Sequence, residues 1–255
     1  MKTGAIIQAR TSSTRLPQKV LKELPFGSGI TVLQQVIRRV RKARSIDEII
    51  VATSTEESDD EIVQIAKKER AKFFRGSLND VLERYYLAAK ENRLGAVVRI
   101  TSDCPCIDPE VLDLAVNKHR AEMPDYTSNV LKRSYPGGLD VEVVSFGALE
   151  RIYRGARDEF EREHPTFYIH QNLEMFKIVH IEAGEELHAP HIRITLDTEE
   201  DYVLLCAIFD ELYPQYPYFG AGAIIKLFHE KPWLYLMSLM NAKTCKKALN
   251  DENDR

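Results

Sequence analysis

The sequence predicts an α/β protein built on a mostly parallel, doubly wound sheet, and three observations carry that expectation. Four short apolar runs alternate with four stretches of helical periodicity over about the first 120 residues, the order in which parallel strands and crossover helices are laid down. The runs are bounded by turn or capping residues and are too short to be helices of their own. No fixed-period repeat appears, which excludes a solenoid.

Thr3 to Ala9 reads as a buried strand followed by turn chemistry. Phe26-Gly27-Ser28-Gly29 breaks the chain, and Thr31 is placed to cap a helix whose Val32, Leu33, Val36, Ile37 and Val40 form one stripe. Glu48 to Thr53 is the second strand. Ser58 with Glu61 reads as a capping box opening the second helix. Lys72 to Arg75 is the third strand, and Ser77 with Asp80 reads as another capping box before Val81, Leu82, Tyr85, Tyr86 and Ala89. Ala96 to Thr101 is the fourth strand, and Pro109 suits the first turn of the helix after it.

From about Asp125 the rhythm changes to an α+β pattern. Tyr126 to Leu131 and Leu139 to Val144 read as strands, Phe146 to Tyr153 as a helix, and the charge run Arg157 to His164 as a solvated helix rather than a ligand site. Phe176 to Ile181 alternates as a strand, and His191 to Asp197 reads as a strand ending in an acid. Thr198 caps the next helix, and two more helices, around 220–229 and 232–241, precede a polar tail from Lys243 expected to be frayed. The chain is therefore read as one domain over 1–242 with an insertion at about 125–185, then a tail over 243–255.

Composition narrows the function. A net charge of −4 argues against a surface that grips nucleic acid throughout. Neither a membrane-spanning run nor a signal-peptide layout is present, so a cytoplasmic location is the expectation. Cys104 and Cys106 have no second close pair to complete a zinc site, and buried structural thiols are expected; His188 and His191 match no common zinc spacing.

Positive charge gathers at the N-terminus. Residues 1–44 hold ten Lys or Arg against one acid, Glu23, and Arg10, Arg15 and Lys19 lie in the loop after the first strand with Thr11, Ser12, Ser13 and Thr14. Hydroxyls and backbone N–H groups are neutral donors, Arg is a planar fork for phosphate oxygens, and Lys is a compact charge. Loops at carboxyl ends of parallel strands are where such sheets bind ligands. A small phosphorylated ligand is the natural anion.

Asp103 and Asp197 each follow an apolar run, so they are placed to converge on one sheet edge. Two carboxylates facing an Arg and Lys loop suit a magnesium triphosphate, because Mg²⁺ takes one or two carboxylates plus phosphate oxygens and water. The competing role for each acid is a helix cap. Asp108-Pro109 offers a better cap than Asp103, whereas Asp197 competes with Thr198.

These residues carry a resemblance. Ala9 to Lys19 is similar to the A-R-x-x-S-x-R-L-P-x-K signature of the CMP-KDO and CMP-sialic acid synthetases. Gly76 to Tyr85, Arg99 to Pro105, Gly138 to Glu142, Glu163 to Thr166 and Arg193 to Tyr202 most resemble the SpsF-type cytidylyltransferases of spore coat polysaccharide biosynthesis. The resemblance spans about residues 3–210 and implies the nucleotide-diphospho-sugar transferase (GT-A-like) fold. It further implies attack of a sugar hydroxyl on the α-phosphorus of CTP with release of pyrophosphate, an acidic sugar, Mg²⁺ as cofactor, and a homodimer joined through the inserted region.

By resemblance, Arg10, Arg15 and Lys19 hold the triphosphate, with Ala9, Ser12, Ser13 and Ser102 beside it. Gly76, Ser77, Asp80 and Arg84 lie near the base, and Asp103 and Asp197 carry the metal. Arg10, Arg15, Lys19 and Asp103 form the catalytic set. On the sugar side, Asp140 and Glu142 are either a solvent-facing pair on a strand or ligands beside Gly137 and Gly138, and His164 is either structural or a sugar ligand. A glycosyltransferase of similar fold is the enzyme alternative, though it would usually show Asp-x-Asp where this chain has Ser102-Asp103-Cys104. A nucleotide-binding module without turnover is the other.

Overall fold

The computed structural model describes residues 1–253, with side chains described through residue 242. Its sheet is seven-stranded among the described residues, in the order β3-β2-β1-β4-β6-β5-β7. The strands are β1 (Thr3–Gln8), β2 (Glu48–Ser54), β3 (Lys72–Gly76), β4 (Ala96–Thr101), β5 (Tyr126–Ser128), β6 (Glu142–Ser145) and β7 (Ile178–His180). The first four run parallel, β6 pairs antiparallel with β4 and β5, and β5 pairs parallel with β7. The sheet thus continues through the inserted region.

The helices are α1 (Val32–Val40), α2 (Asp60–Lys68), α3 (Val81–Glu91), α4 (Pro109–Glu122), α5 (Phe146–Gly155), α6 (Glu159–Glu163), α7 (Phe167–Gln171), α8 (Glu199–Leu212), α9 (Ala221–Glu230) and α10 (Pro232–Asn253). They cover both faces, as the alternation of β1 requires. Ala5 and Ile7 enter a core with α1, α2, α4, α8 and α9, whereas Ile6 enters a second core with α3 and α5. None of the described helices is long and apolar enough to cross a membrane.

Helix starts follow the sequence with two exceptions. Thr31 forms a full capping box with Gln34, and Thr198 forms one with Asp201. Ser58 does not cap α2: Asp59 is at that end, and its side chain is turned away to other partners. At α3 the cap is Asp80 itself, which accepts from the Glu83 N–H at 2.8 Å, while Ser77 Oγ accepts from the Asp80 N–H. The backbone of α10 stays helical past Lys243, where the polar composition had pointed to a frayed tail, and residues 254–255 lie outside the described residues.

One expected strand is absent. His191 to Asp197 joins the sheet nowhere among the described residues, and its one bridge is Gly137 to Arg193. Gly137 and this segment exchange two bonds of 2.8 Å, from the Gly137 N–H to the Ile192 carbonyl and from the Ile194 N–H to the Gly137 carbonyl. Gly138, at φ +104°, lies so close that a Cβ there would meet the Ile194 carbonyl group at 2.9 Å. The glycine pair admits the chain's own backbone.

Candidate active site

The carboxyl ends of β1 and β4 open into a cleft of about 660 Å³. Its walls include Ala9, Arg10, Ser13, Arg15, Lys19, Arg84, Ser102, Asp103, His164 and Asp197, together with Gln8, Thr101 and Phe160.

The basic loop is held from below by Asp59, which is 1 % exposed. Its carboxylate accepts from the Thr11 N–H and Thr11 hydroxyl, each at 2.8 Å, and from the hydroxyls of Thr53 and Ser54 at 3.0 and 2.5 Å. Those donors outweigh burial and keep the carboxylate below its usual range. Sequence reasoning missed this anchor, although an acid flanked by hydroxyls just beyond a strand was a readable signal. Leu16, 6 % exposed, plugs the loop into the core.

Lys19 is where the elements meet. Its ammonium donates to Asp103 at 2.8 Å, to Asp197 at 3.1 Å and to the Leu196 carbonyl at 2.7 Å. Burial opposes the charge of Lys19, but the two carboxylates more than offset it and raise its pKa. Burial likewise opposes ionisation of Asp103, and the nearby ammonium reverses the balance and lowers its pKa.

Asp103 lies just past the end of β4, and the Leu196 N–H reaches its carbonyl at 2.9 Å. Asp197 is set from the other direction. Arg15 approaches it at 3.2 Å, and Arg193 bridges it at 2.6 Å to Asp201, which is 1 % exposed and completes the capping box of α8. Thr198 takes the capping role, so the Asp197 carboxylate is spared for the cleft.

Other expected residues divide. Arg84 reaches the cleft and fastens the preceding loop, donating to the Ser77 carbonyl and to that of Leu78 at 2.9 Å. Gly76, Ser77 and Asp80 stand off the main cleft. Asp80 lines an adjoining cleft of about 450 Å³ with Arg10 and Asn79, and pairs with Arg162 at 2.7 Å. Ser12 is exposed, while Ser13 faces in.

Two sugar-side residues are not brought to the cleft wall. Glu142 is 3 % exposed and is spent on Arg99 and the Tyr126 hydroxyl, a buried pairing that leaves no solvent-facing carboxylate. Asp140 is half-buried and forms a two-point pair with Arg133 at 2.7 and 3.2 Å. His164 does line the cleft. The charge run before it is partly the solvated helix expected, with Arg157, Asp158 and Glu159 exposed, but its last turn also faces the cleft: Glu163 binds Arg10 at 2.9 Å, Arg162 binds Asp80 and Phe160 lies on the cavity wall. Cys104 and Cys106 are buried free thiols.

A cleft with cationic and hydroxyl groups on one lip and two acids on the other is suited to a polyphosphate. Comparison with known proteins agrees with that chemistry. The family model described as cytidylyltransferase matches residues 4–220. The spore coat polysaccharide biosynthesis protein SpsF of Bacillus subtilis is 34% identical over 232 residues, 89% of this chain and 94% of that protein. A cytidylyltransferase structure from Leptospira borgpetersenii superposes with a TM-score of 0.86 at 34% identity, covering 92% of this chain and 97% of that one. A CMP-KDO synthetase solved with CTP shares the fold alone, with a TM-score of 0.61 at 13% identity, covering 83% of this chain and 99% of that one. The architecture is that of the nucleotide-diphospho-sugar transferases, and with more than four-fifths of its length inside the family model this chain belongs to the cytidylyltransferase family.

Proposed function

We propose that the protein uses CTP and a divalent cation, Mg²⁺ by choice, to activate a sugar as its CMP derivative with release of pyrophosphate, in the service of a surface polysaccharide. The observation that carries this reading is the meeting of Asp103 and Asp197 at Lys19, on the lip of the loop that bears Arg10 and Arg15. The names of the relatives support the nucleotide and the pathway class: SpsF is a polysaccharide biosynthesis protein, and the CMP-KDO synthetase was solved with CTP.

The residues fit a hard cation. Two carboxylates and the Leu196 carbonyl converge within 3.1 Å of one positive atom, Lys19 Nζ, and the donors are all oxygen. Asp103 and Asp197 would hold the ion, which when bound neutralises phosphate charge and orients the groups in line. The remaining work falls to the chain. Arg15 and Lys19 neutralise charge on the triphosphate, Ser13 and backbone N–H groups donate to its oxygens, and Arg84 with its loop meets the nucleoside end.

Pyrophosphate release measured with Mg²⁺ and each of the four nucleoside triphosphates over a panel of acidic and neutral sugars tests the proposal. Release that requires both CTP and a sugar is expected, and none without the cation. Release of nucleoside diphosphate from a nucleotide sugar would replace the reading with glycosyl transfer.

A further inference from the structure

We propose that His164 is the general base that takes the proton from the attacking sugar hydroxyl. The inference rests on the cytidylyl-transfer reading above and names a catalytic group within that site.

Four titratable side chains other than Lys and Arg line the cleft: Asp103, Glu163, His164 and Asp197. Three are committed. Asp103 and Asp197 share Lys19, Asp197 also takes Arg15 and Arg193, and Glu163 holds Arg10 at 2.9 Å. Only His164 has ring nitrogens with no hydrogen-bond partner among the described residues.

Its ring is nevertheless held in place. His164 follows α6, its backbone N–H donates to the Phe160 carbonyl at 2.9 Å, and the Phe160 ring packs on the imidazole at 4.3 Å between centroids. Phe160 is braced in turn by Phe167 at 4.6 Å, and Arg10 bound to Glu163 ties this wall to the basic loop. A base must be positioned before its pKa matters, and these contacts position it.

The surroundings also favour the neutral imidazole. Burial is the main cause of a lowered pKa, Glu163 opposes it, and Arg99 on β4 and Arg10 in the loop reinforce it. The ring therefore offers a lone pair at neutral pH. Asp103 is already engaged by the Lys19 ammonium at 2.8 Å.

In the step itself the hydroxyl O–H bond breaks and its proton passes to a ring nitrogen of His164. The oxygen forms the new bond to the α-phosphorus, and the bond from that phosphorus to the bridging oxygen breaks. Its electron pair leaves with pyrophosphate. The imidazolium then returns its proton to water.

The test compares wild type with His164→Gln and His164→Ala in the complete assay with Mg²⁺, CTP and the sugar that supports turnover. Both variants are expected to bind CTP within about threefold of wild type by calorimetry. Their kcat should fall about 100-fold or more, the acid limb of the pH profile should flatten, and added imidazole should partly restore His164→Ala. Three results would overturn the proposal: kcat within threefold of wild type, a change confined to the KM for sugar with the acid limb intact, or no rescue together with an unaltered pH profile. Absence of turnover by wild type across the sugar panel would instead overturn the cytidylyl-transfer reading, and this inference with it.

Discussion

Lys19 shows how much one residue can decide. From sequence it reads as a phosphate ligand, yet in the fold its first partners are the acids expected to hold metal, at 2.8 and 3.1 Å. There it compensates two carboxylates that would otherwise repel, and in the proposed reaction it would present positive charge to the arriving phosphate. Lys19→Met is therefore expected to lower kcat about 10²- to 10³-fold in the pyrophosphate assay, and Lys19→Arg to restore little of it, because a planar fork cannot occupy a point between three oxygens. Wild-type kcat in either variant would remove Lys19 from the site. That Arg10, Arg15, Lys19, Asp103 and Asp197 come together on one cleft was legible because motif position and residue chemistry agreed. The pairings of Asp140 and Glu142 were not legible, because period two tells which face a residue takes, not which partner waits there. Arg99 was that partner for Glu142.

At the scale of elements, the loop after β1 is ordered by a residue from the start of α2. Asp59 takes bonds from Thr11, Thr53 and Ser54, so its loss would leave several buried donors unmatched. Asp59→Ala is expected to cost about 2–4 kcal/mol in denaturant unfolding and to raise the KM for nucleotide. A rise in KM without loss of stability would show that the anchor serves only the loop.

The interface of α4 with β5 carries a pH response. His119, 1 % exposed, meets the Thr127 hydroxyl at 2.9 Å, and burial pushes its pKa down to about 4 from 6.5. Between these values the unfolded chain binds the proton and the folded chain does not, so stability is full above pH 6.5 and declines as pH falls toward 4. The loss should reach up to about 3 kcal/mol, and His119→Gln should flatten that part of the profile. A wild-type stability curve that is level from pH 6.5 to 4 would contradict it.

For the whole molecule, β1 is the axis on which both cores and the cleft depend. Ile6 and Ile7 are fully buried on opposite faces, and directly beyond Ile7 the chain enters the cleft at Gln8 and Ala9. Ile7→Ala should cost about 2–5 kcal/mol and lower Tm by several degrees without altering the ligand-facing chemistry. A folded variant with normal Tm but lost turnover would mean that β1 sets site geometry more tightly than it sets stability.

The sequence by itself determined the alternating strands and helices, the two-faced burial of β1, the basic loop and the acid after β4. Those depend on local period, capping and residue chemistry, which neighbours in the chain supply. Only the tertiary structure decided that the segment before Asp197 lies outside the sheet, that Gly138 admits Ile194, that Glu142 is consumed by Arg99 and that the charge run at 157–164 walls the cleft. Each depends on a partner far along the chain, and the energy of a buried charge or a close backbone approach belongs to the pair rather than to either residue.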